Sequence, residues 1–497
     1  MRLPIVLHLI GAILRVFGAI FLVPLAVGLV YGEHQDVLGF AIAASVAGIV
    51  GELMRRASPP FTEDLRRVEG LAVVAGTWLV VANVGAVPYV WAGLSPIDAL
   101  FESMSGLTTT GATVFVEFEA FGRAIYFWRS LSQWLGGMGV IALFVAILPR
   151  LSIGGRQLFF AEAPGPTDEK LTPQIRKTAA ALWRVYAALT VGEFVLLMAA
   201  GMTAYDSACH AFTTLAAGGF SPHPLSVMGY ESAAIEWVII LFMFLAGANF
   251  ALQYRAFRGQ PAALFRDEEF RVYGGLVIVS ALAIALFVWP VAADLSSAVR
   301  HGTFQALSIL TTTGYASVDF ELWNDQAKVV LLVLMFIGGC AGSAAGGPKV
   351  VRHILIARYT VQELKRTLHP RAVLPVKLGG RVVPDDVMRG VLVFFLFYLL
   401  VFAVCVTVVT LLGTDMMTGL TATIATLGNI GPGFGAVGPM ANYAHLHPVS
   451  KITLTAAMWI GRLEVLTVLA LFRPDVWNTV RWHDGRLPAK VAVAGPS

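Results

Sequence analysis

Long apolar blocks separated by short polar segments dominate the chain. Ten of them are long enough to cross the roughly 30 Å hydrocarbon core of a bilayer. They cover residues 5–31, 37–54, 68–92, 124–149, 179–202, 233–254, 271–292, 327–347, 387–413 and 450–472. A backbone in lipid must satisfy its own hydrogen bonds, and the blocks lack the ten-residue alternation of a barrel strand. The pattern predicts an all-α polytopic membrane protein.

Composition strengthens this interpretation. Of the 497 residues, 57% are hydrophobic and 13% are charged, whereas soluble domains carry about 25% charged residues. The mean hydropathy of +0.74 excludes a water-soluble enzyme. The first block is longer than a signal-peptide core of about 7–15 residues and lacks a small-residue cleavage site, so we expect a retained span. The net charge of +4 is too small to indicate a nucleic-acid partner.

The basic residues predict the orientation. Five segments hold 26 of the 35 lysines and arginines: 55–70, 150–177, 255–271, 349–389 and 473–497. The positive-inside rule places these segments, and with them both termini, in the cytoplasm. The opposite side carries acids such as Glu102 and few bases, Arg129 among them. An acidic outer face would concentrate cations at a pore mouth, although acids also fill loops from which basic residues are excluded.

Four related turns lie in the outer segments. They are LTTTGAT at 107–113, FTTLAAGGFS at 212–221, LTTTGYAS at 310–317 and TLGNIGPGF at 426–434. Spacings of about 95–117 residues indicate internal duplication. Each turn follows a short helix-like piece within about 30–35 residues between two spans. Such a segment is expected to enter the membrane and return as irregular chain beside a watery cavity.

The residue types of these turns suit a dehydrated cation. K⁺ needs about eight oxygens in place of its water, and main-chain carbonyls can supply them. Glycine permits the required backbone angles, and the preceding helix directs its negative end towards the ion. The predicted ion-binding residues are Thr109, Thr110, Gly111, Ala217, Gly218, Gly219, Thr312, Thr313, Gly314, Asn429, Ile430 and Gly431. Either Gly218 or Gly219 could be the second filter glycine. Thr-Gly turns that only cap helices are the alternative.

These residues resemble the Trk/Ktr/HKT superfamily of potassium transporters, and most closely its bacterial TrkH branch. The resemblance extends to Gln133-Trp134-Leu135-Gly136-Gly137-Met138-Gly139, to Gly338-Gly339-Cys340-Ala341-Gly342-Ser343 and to Gly461-Arg462-Leu463-Glu464. It implies two N-terminal helices and four helix–pore-loop–helix repeats around one pore. It also implies a homodimer in the bacterial inner membrane, with a cytoplasmic TrkA-like nucleotide-binding regulatory subunit as partner.

The implied organisation divides the chain into six parts. Residues 1–60 form two transmembrane helices, and the repeats cover 61–150 (filter 109–113), 151–258 (filter 216–220), 259–370 (filter 312–316, gating loop 338–347) and 371–480 (filter 429–433). Residues 481–497 form a cytoplasmic tail. The second and fourth filters lack the threonines of the first and third, which weakens hydroxyl coordination. A Na⁺-permeable or weakly selective monovalent cation transporter or symporter of the same superfamily is therefore the alternative to K⁺ uptake.

Two gate candidates follow the third and fourth filters. The segment 338–347 contains Gly338, Gly339, Gly342, Ser343, Gly346 and Gly347. Because each helical glycine costs about 1 kcal/mol relative to alanine, we expect the helix to unwind there and cross the pore; close helix packing is the alternative. Arg462 lies about 12 residues into the last span, where a charge is costly and indicates function. It is expected to act as a positive plug, or else to pair with an acid such as Glu193.

Other function classes find little support in the sequence. An alternating-access transporter would break its spans around a central site, whereas the predicted breaks lie in outer loops. A membrane enzyme would need clustered histidines and acids. His210, His301, His445 and His447 are expected to be interfacial rather than metal ligands, and Cys209, Cys340 and Cys405 share no metal-like spacing. We predict a non-enzyme whose only ion is transported K⁺. Any nucleotide must bind a partner subunit.

Overall fold

The computed structural model describes residues 1–56, 66–147, 171–372 and 374–477. The predicted boundary between the first two repeats at 150 and 151 and the predicted tail 481–497 lie outside these ranges.

Two N-terminal spans precede the repeats. Helices Leu3–Ile20 and Leu22–Tyr31 join into one span of 29 residues, and helix His34–Arg56 returns beside it. A β-carbon on Gly51 would lie 2.8 Å from the carbonyl oxygen of Gly11, so these glycines allow the two backbones to approach. Small residues are the usual means of packing helices in lipid.

Each repeat contains a leading span, a pore helix, a return loop and a trailing helix. Repeat 1 has Arg67–Gly85 with Val87–Trp91, then Pro96–Leu107, then Arg123–Ile147. Repeat 2 has Leu171–Ala199, then Ala204–Leu215, then Ala233–Ala246 with Phe250–Phe257. Repeat 3 has Glu268–Val288, then Leu295–Leu310, then Asp325–Met335 and Val350–Leu368. Repeat 4 has Asp385–Leu411, then Met416–Leu427, then Pro448–Arg462 with Val465–Leu471.

Short elements complete the described chain. They are α-helices Ala262–Arg266 and Pro474–Trp477 and an antiparallel pair of strands, Lys377–Leu378 and Arg381–Val382. The described ranges also contain five 3₁₀ helices, Phe118–Ala120, Ser226–Tyr230, Trp289–Val291, Phe320–Leu322 and Gly435–Val437. The strands hold two residues each, and the architecture is all-α as predicted.

Three of the predicted spans are not continuous helices. The trailing helix of repeat 2 bends by 104° after Ala246, and that of repeat 4 bends by 110° after Arg462. In repeat 3 the helix ends at Met335, and residues 336–349 are not helical. In the described ranges, six helices are long and apolar enough to cross a membrane, or eight if each bent pair counts as one span. The prediction of continuous helical spans at 233–254 and 450–472 was wrong, because apolar composition does not reveal a bend. The break within 327–347 lies in the glycine-rich segment that was expected to unwind.

The leading spans of repeats 2 to 4 expose apolar faces, and the pore helices lie at the centre. Leu396, Leu399, Leu400 and Val404 on the fourth leading span are more than half exposed, as expected for a surface that contacts acyl chains. The pore helices are buried over their C-terminal halves, where even Thr423 and Thr426 are inaccessible. The chain is thus a multi-pass membrane protein of four pseudo-symmetric repeats around a central pore, preceded by two transmembrane helices.

Candidate ion pathway

The four pore helices begin and end in the same way. The side chains of Ser95, Thr203, Asp294 and Asp415 cap their N-termini by accepting a hydrogen bond from the N–H three residues on. At the C-terminus of pore helix 1, Thr109 N donates to Gly106 O (3.0 Å) and Thr110 N donates to Ser105 O (2.8 Å). This pair of bonds is a Schellman motif, and the other three helices repeat it.

Backbone angles define the four return loops. In each loop, the first predicted ion-binding residue has a left-handed backbone although it is not glycine. These residues are Thr109 (φ +53°), Ala217 (+54°), Thr312 (+58°) and Asn429 (+56°). Two residues later come Gly111 (φ +80°), Gly219 (+74°), Gly314 (+80°) and Gly431 (+104°). Gly219, and not Gly218, is therefore the equivalent glycine of the second loop. Left-handed non-glycine residues cost of order 1–3 kcal/mol each and persist only where the surroundings impose them.

The four glycines close a ring. A β-carbon on Gly111 would overlap the carbonyl oxygen of Gly218, and the same holds for Gly219 against Thr313, Gly314 against Ile430, and Gly431 against Thr110, the last at 2.7 Å. Each loop therefore packs its glycine against the carbonyl that precedes the next glycine in the ring. The order runs from repeat 1 through 2, 3 and 4 and back to 1. This arrangement brings all twelve predicted filter residues together.

The side chains of the loops are fixed differently from repeat to repeat. The hydroxyls of Thr108 and Thr110 lie 2.8 Å apart in loop 1, and those of Thr311 and Thr313 lie 2.8 Å apart in loop 3. In loop 4, Asn429 Nδ2 donates to the Thr110 hydroxyl (3.0 Å) and to Met458 O (3.0 Å). The ring is therefore fourfold in its backbone but not in its side chains.

A buried ion pair supports the first loop. Arg129 Nε donates to Glu102 Oε1 at 2.8 Å, and the two side chains are 2% and 0% exposed. The Glu102 carboxylate also accepts from Val114 N (2.9 Å) and the Thr113 hydroxyl. Counting these charges as part of an acidic outer surface was wrong. The sequence did contain a signal that these two charges are buried and paired, because both lie in a mainly apolar segment. A charge at membrane depth indicates a function or a partner.

Pore helices 2 and 3 place other groups at the position of Glu102. His210 is fully buried, and its Nε2 lies 3.2 Å from the Ser221 hydroxyl. It therefore supports the second loop rather than lying at an interface as predicted. In repeat 3, Gln305 faces Ser317. In the described ranges, no group of three or more histidine, cysteine, aspartate or glutamate side chains is arranged to hold a metal ion.

The loop 338–347 lies between repeats, in contact with a filter loop and a broken helix. Gly346 N donates to the Thr312 hydroxyl at 2.6 Å. Cys340 N and Ala344 N donate to the carbonyls of Gly247 and Ala246, at 2.8 and 3.1 Å. The bend after Ala246 exposes these carbonyls, so the break in that helix supplies the acceptors that the loop uses. The segment unwinds as the glycine content predicts, and it lies across repeats 2, 3 and 4.

Glu269 fixes two points of this segment. Its Oε1 accepts from Ala341 N (2.7 Å) in the loop and from Val351 N (3.0 Å) in the first turn of helix Val350–Leu368. A carboxylate is favourable at a helix N-terminus. Glu269 was not among the residues predicted from the sequence, although it stands at the start of an apolar span.

Two buried cations bind the same loop. Arg462 Nη1 donates to Ala344 O at 2.9 Å, and the side chain is 4% exposed. Lys349 Nζ, which was expected in a cytoplasmic segment, is buried and donates to Ala345 O. Within the described ranges, Arg462 forms no ion pair, and its Nε and Nη2 are buried without partners. The alternative pairing with Glu193 is therefore wrong, and Glu464 pairs with Arg352 instead.

Comparisons with known proteins agree with this architecture. The family model of TrkH, described as a cation transport protein, matches residues 41–478. The chain is 38% identical to the Trk system potassium uptake protein TrkH of Salmonella typhimurium over 95% of this chain and 98% of that protein. It is 34% identical to the Trk system potassium uptake protein TrkG of Escherichia coli over 96% of this chain and 99% of that protein.

A solved structure gives the same result. The crystal structure of the potassium transporter TrkH from Vibrio parahaemolyticus aligns with a TM-score of 0.88 and 36% identity, over 96% of this chain and 100% of that chain. The resemblance that the sequence motifs indicated is confirmed over nearly the full length. The chain therefore belongs to the TrkH family of cation transport proteins.

Proposed function

We propose that the protein takes up K⁺ across the bacterial inner membrane through a channel-like pathway. The ion sheds its water and passes the ring formed by the loops 109–113, 216–220, 312–316 and 429–433. The observation that carries the proposal is the closed ring of four glycines, each packed on a carbonyl of the next loop. Relatives named for potassium uptake support K⁺ as the ion.

The gate of this pathway is the loop 338–347 together with Arg462. The loop is bonded to Thr312 of the third filter loop, and the guanidinium is bonded to the loop. A fixed positive charge beside the path repels K⁺, and an extended loop blocks it. Movement of the loop away from Thr312 would remove both obstacles together. Loop and arginine thus form one gate.

Control comes from the cytoplasmic side. The resemblance favours a homodimer with a TrkA-like nucleotide-binding subunit as partner. In this proposal the subunit binds the basic segments and releases the loop. The concentration of lysines and arginines in the five segments supports a cytoplasmic location of both termini.

Ion flux in liposomes tests the proposal. Purified, monodisperse protein is reconstituted, and uptake of ⁸⁶Rb⁺ is measured in competition with K⁺ and Na⁺. We expect K⁺ to compete at far lower concentration than Na⁺. Equal competition would instead favour the Na⁺-permeable alternative, which is suggested by Ala217 and Asn429 at positions that carry threonine in loops 1 and 3. Flux no greater than in protein-free liposomes, with the partner subunit present, would overturn both.

A further inference from the structure

The second filter loop lacks the internal pair of threonine hydroxyls that loops 1 and 3 have. Loops 1 and 3 each join two threonine hydroxyls within the loop. In loop 2 the equivalent positions are Ala216 and Gly218, which have no hydroxyl. A selective ring replaces the hydration shell of one kind of ion better than that of another. To do so, it must hold its carbonyl oxygens in fixed positions. Loop 2 therefore requires support from elsewhere.

Gln133 provides that support from the neighbouring repeat. Its side chain is fully buried, its Nε2 donates to Gly218 O at 2.6 Å, and its Oε1 accepts from Phe220 N at 3.1 Å. The amide thus binds the loop on both sides of Gly219. One turn earlier on the same helix, Arg129 Nη1 donates to Ser221 O at 3.3 Å. The trailing helix of repeat 1 contacts loop 2 through both side chains.

The same contact explains the glycine at 218. A β-carbon there would overlap the carboxamide of Gln133. The equivalent positions of the other loops carry Thr110, Thr313 and Ile430. In loop 2 the corresponding space is filled by Gln133 of repeat 1. Gly218 is not left-handed, and its backbone angles do not require glycine. Its lack of a side chain is a matter of space.

We propose that Gln133 is a specificity-determining positioning residue, which sets the geometry of the second filter loop from repeat 1. The inference rests on the proposed K⁺ pathway and deepens it. Gln133 need not touch the ion, because it acts through the Gly218 carbonyl, which lies next to Gly111 in the ring. Loss of the carboxamide should widen the range of ions that the ring accepts without closing the pathway.

The test replaces Gln133 by methionine, which keeps the length of the side chain and removes both hydrogen bonds. The K⁺-over-Na⁺ flux ratio in liposomes should fall about tenfold, the value of roughly one net hydrogen bond. Gln253→Met is the matched control, because Gln253 is also buried and donates its amide to backbone carbonyls, at 2.7 Å to Leu245 O, away from the filter loops. That variant should keep the wild-type ratio.

A second variant tests the same contact from the other side. Gly218→Ala should displace the carboxamide and lower the ratio equally, and the double variant with Gln133→Met should lower it no further, as expected for residues that act through one contact. An unchanged ratio in folded Gln133→Met protein would overturn the inference. So would failure of Gln133→Met to fold where Gln253→Met folds, because this shows a purely structural role. Failure of the proposed function itself would appear in the wild type and in Gln253→Met as the absence of K⁺ selectivity.

Discussion

Removal of the Arg462 charge should open the pathway. Arg462→Met keeps most of the apolar volume and deletes the bond to Ala344 O (2.9 Å). A hydrogen bond from a charged donor contributes about 1.5–3 kcal/mol, and each 1.36 kcal/mol is tenfold in an equilibrium or a rate. The released fraction of the loop, and with it basal K⁺ flux, should rise about ten- to a hundredfold. Arg462→Lys should keep most of the block, because the charge remains.

The thermal stability of Arg462→Met distinguishes a gating role of Arg462 from a purely structural one. Among the residues that the structure describes, two nitrogens of Arg462 have no hydrogen-bond partner, and an unpaired buried charge costs folding free energy. Its removal should therefore leave the thermal unfolding temperature unchanged or higher. We would measure ⁸⁶Rb⁺ flux and unfolding on the same preparations, with Arg352→Met as a control, because Arg352 pairs with Glu464 rather than with the loop. A variant that is markedly less stable and no more conductive would refute the reasoning.

Three further predictions concern the ring and the loop. Gly314→Ser should lose K⁺ preference before it loses folding, because the added β-carbon overlaps the Ile430 carbonyl. Gly275→Ser is the control and should change neither property, because its β-carbon would meet open space. Competition flux measures the K⁺ preference of both variants. Deletion of 342–345 should raise basal flux and blunt the response to the cytoplasmic subunit, and an unstable, silent protein would instead favour a packing role. Glu269→Ala should raise basal flux severalfold or more, since two charged hydrogen bonds to the segment are lost. Glu268→Ala, which loses the pair with Arg358 instead, should keep basal flux at the wild-type level.

The fold was predictable from the sequence because hydropathy and repetition act over long stretches. The four turns marked the four repeats, and the motif residues marked the family. The bends after Ala246 and Arg462 were not predictable in this way. Their freed backbone groups are satisfied by tertiary contacts, such as those of Cys340 N and Ala344 N with the bent helix of repeat 2, which the local sequence does not show.

The backbone of the four filter loops was predictable from the sequence. The side chains from other helices that hold these loops were less predictable. Glycine spacing identified the loops, but the choice between Gly218 and Gly219 needed the backbone angles. The residues that fix the loops come from other helices, as Arg129 and Gln133 do. Their partners are distant in the chain, so one sequence gives no spacing from which to infer them. Gln133 belonged to a motif of the family resemblance, whereas the only available signal for Arg129 was a charge in an apolar segment.

The central claim is that a dehydrated cation occupies the axis of the ring. A crystal structure in Rb⁺, which scatters anomalously and stands in for K⁺, tests it most directly. We expect an anomalous peak on the axis between Gly111, Gly219, Gly314 and Gly431, from which K⁺ displaces Rb⁺ at lower concentration than Na⁺ does. An empty axis, with the cation bound instead at the bends after Ala246 and Arg462, would contradict the account and point to an alternating-access site.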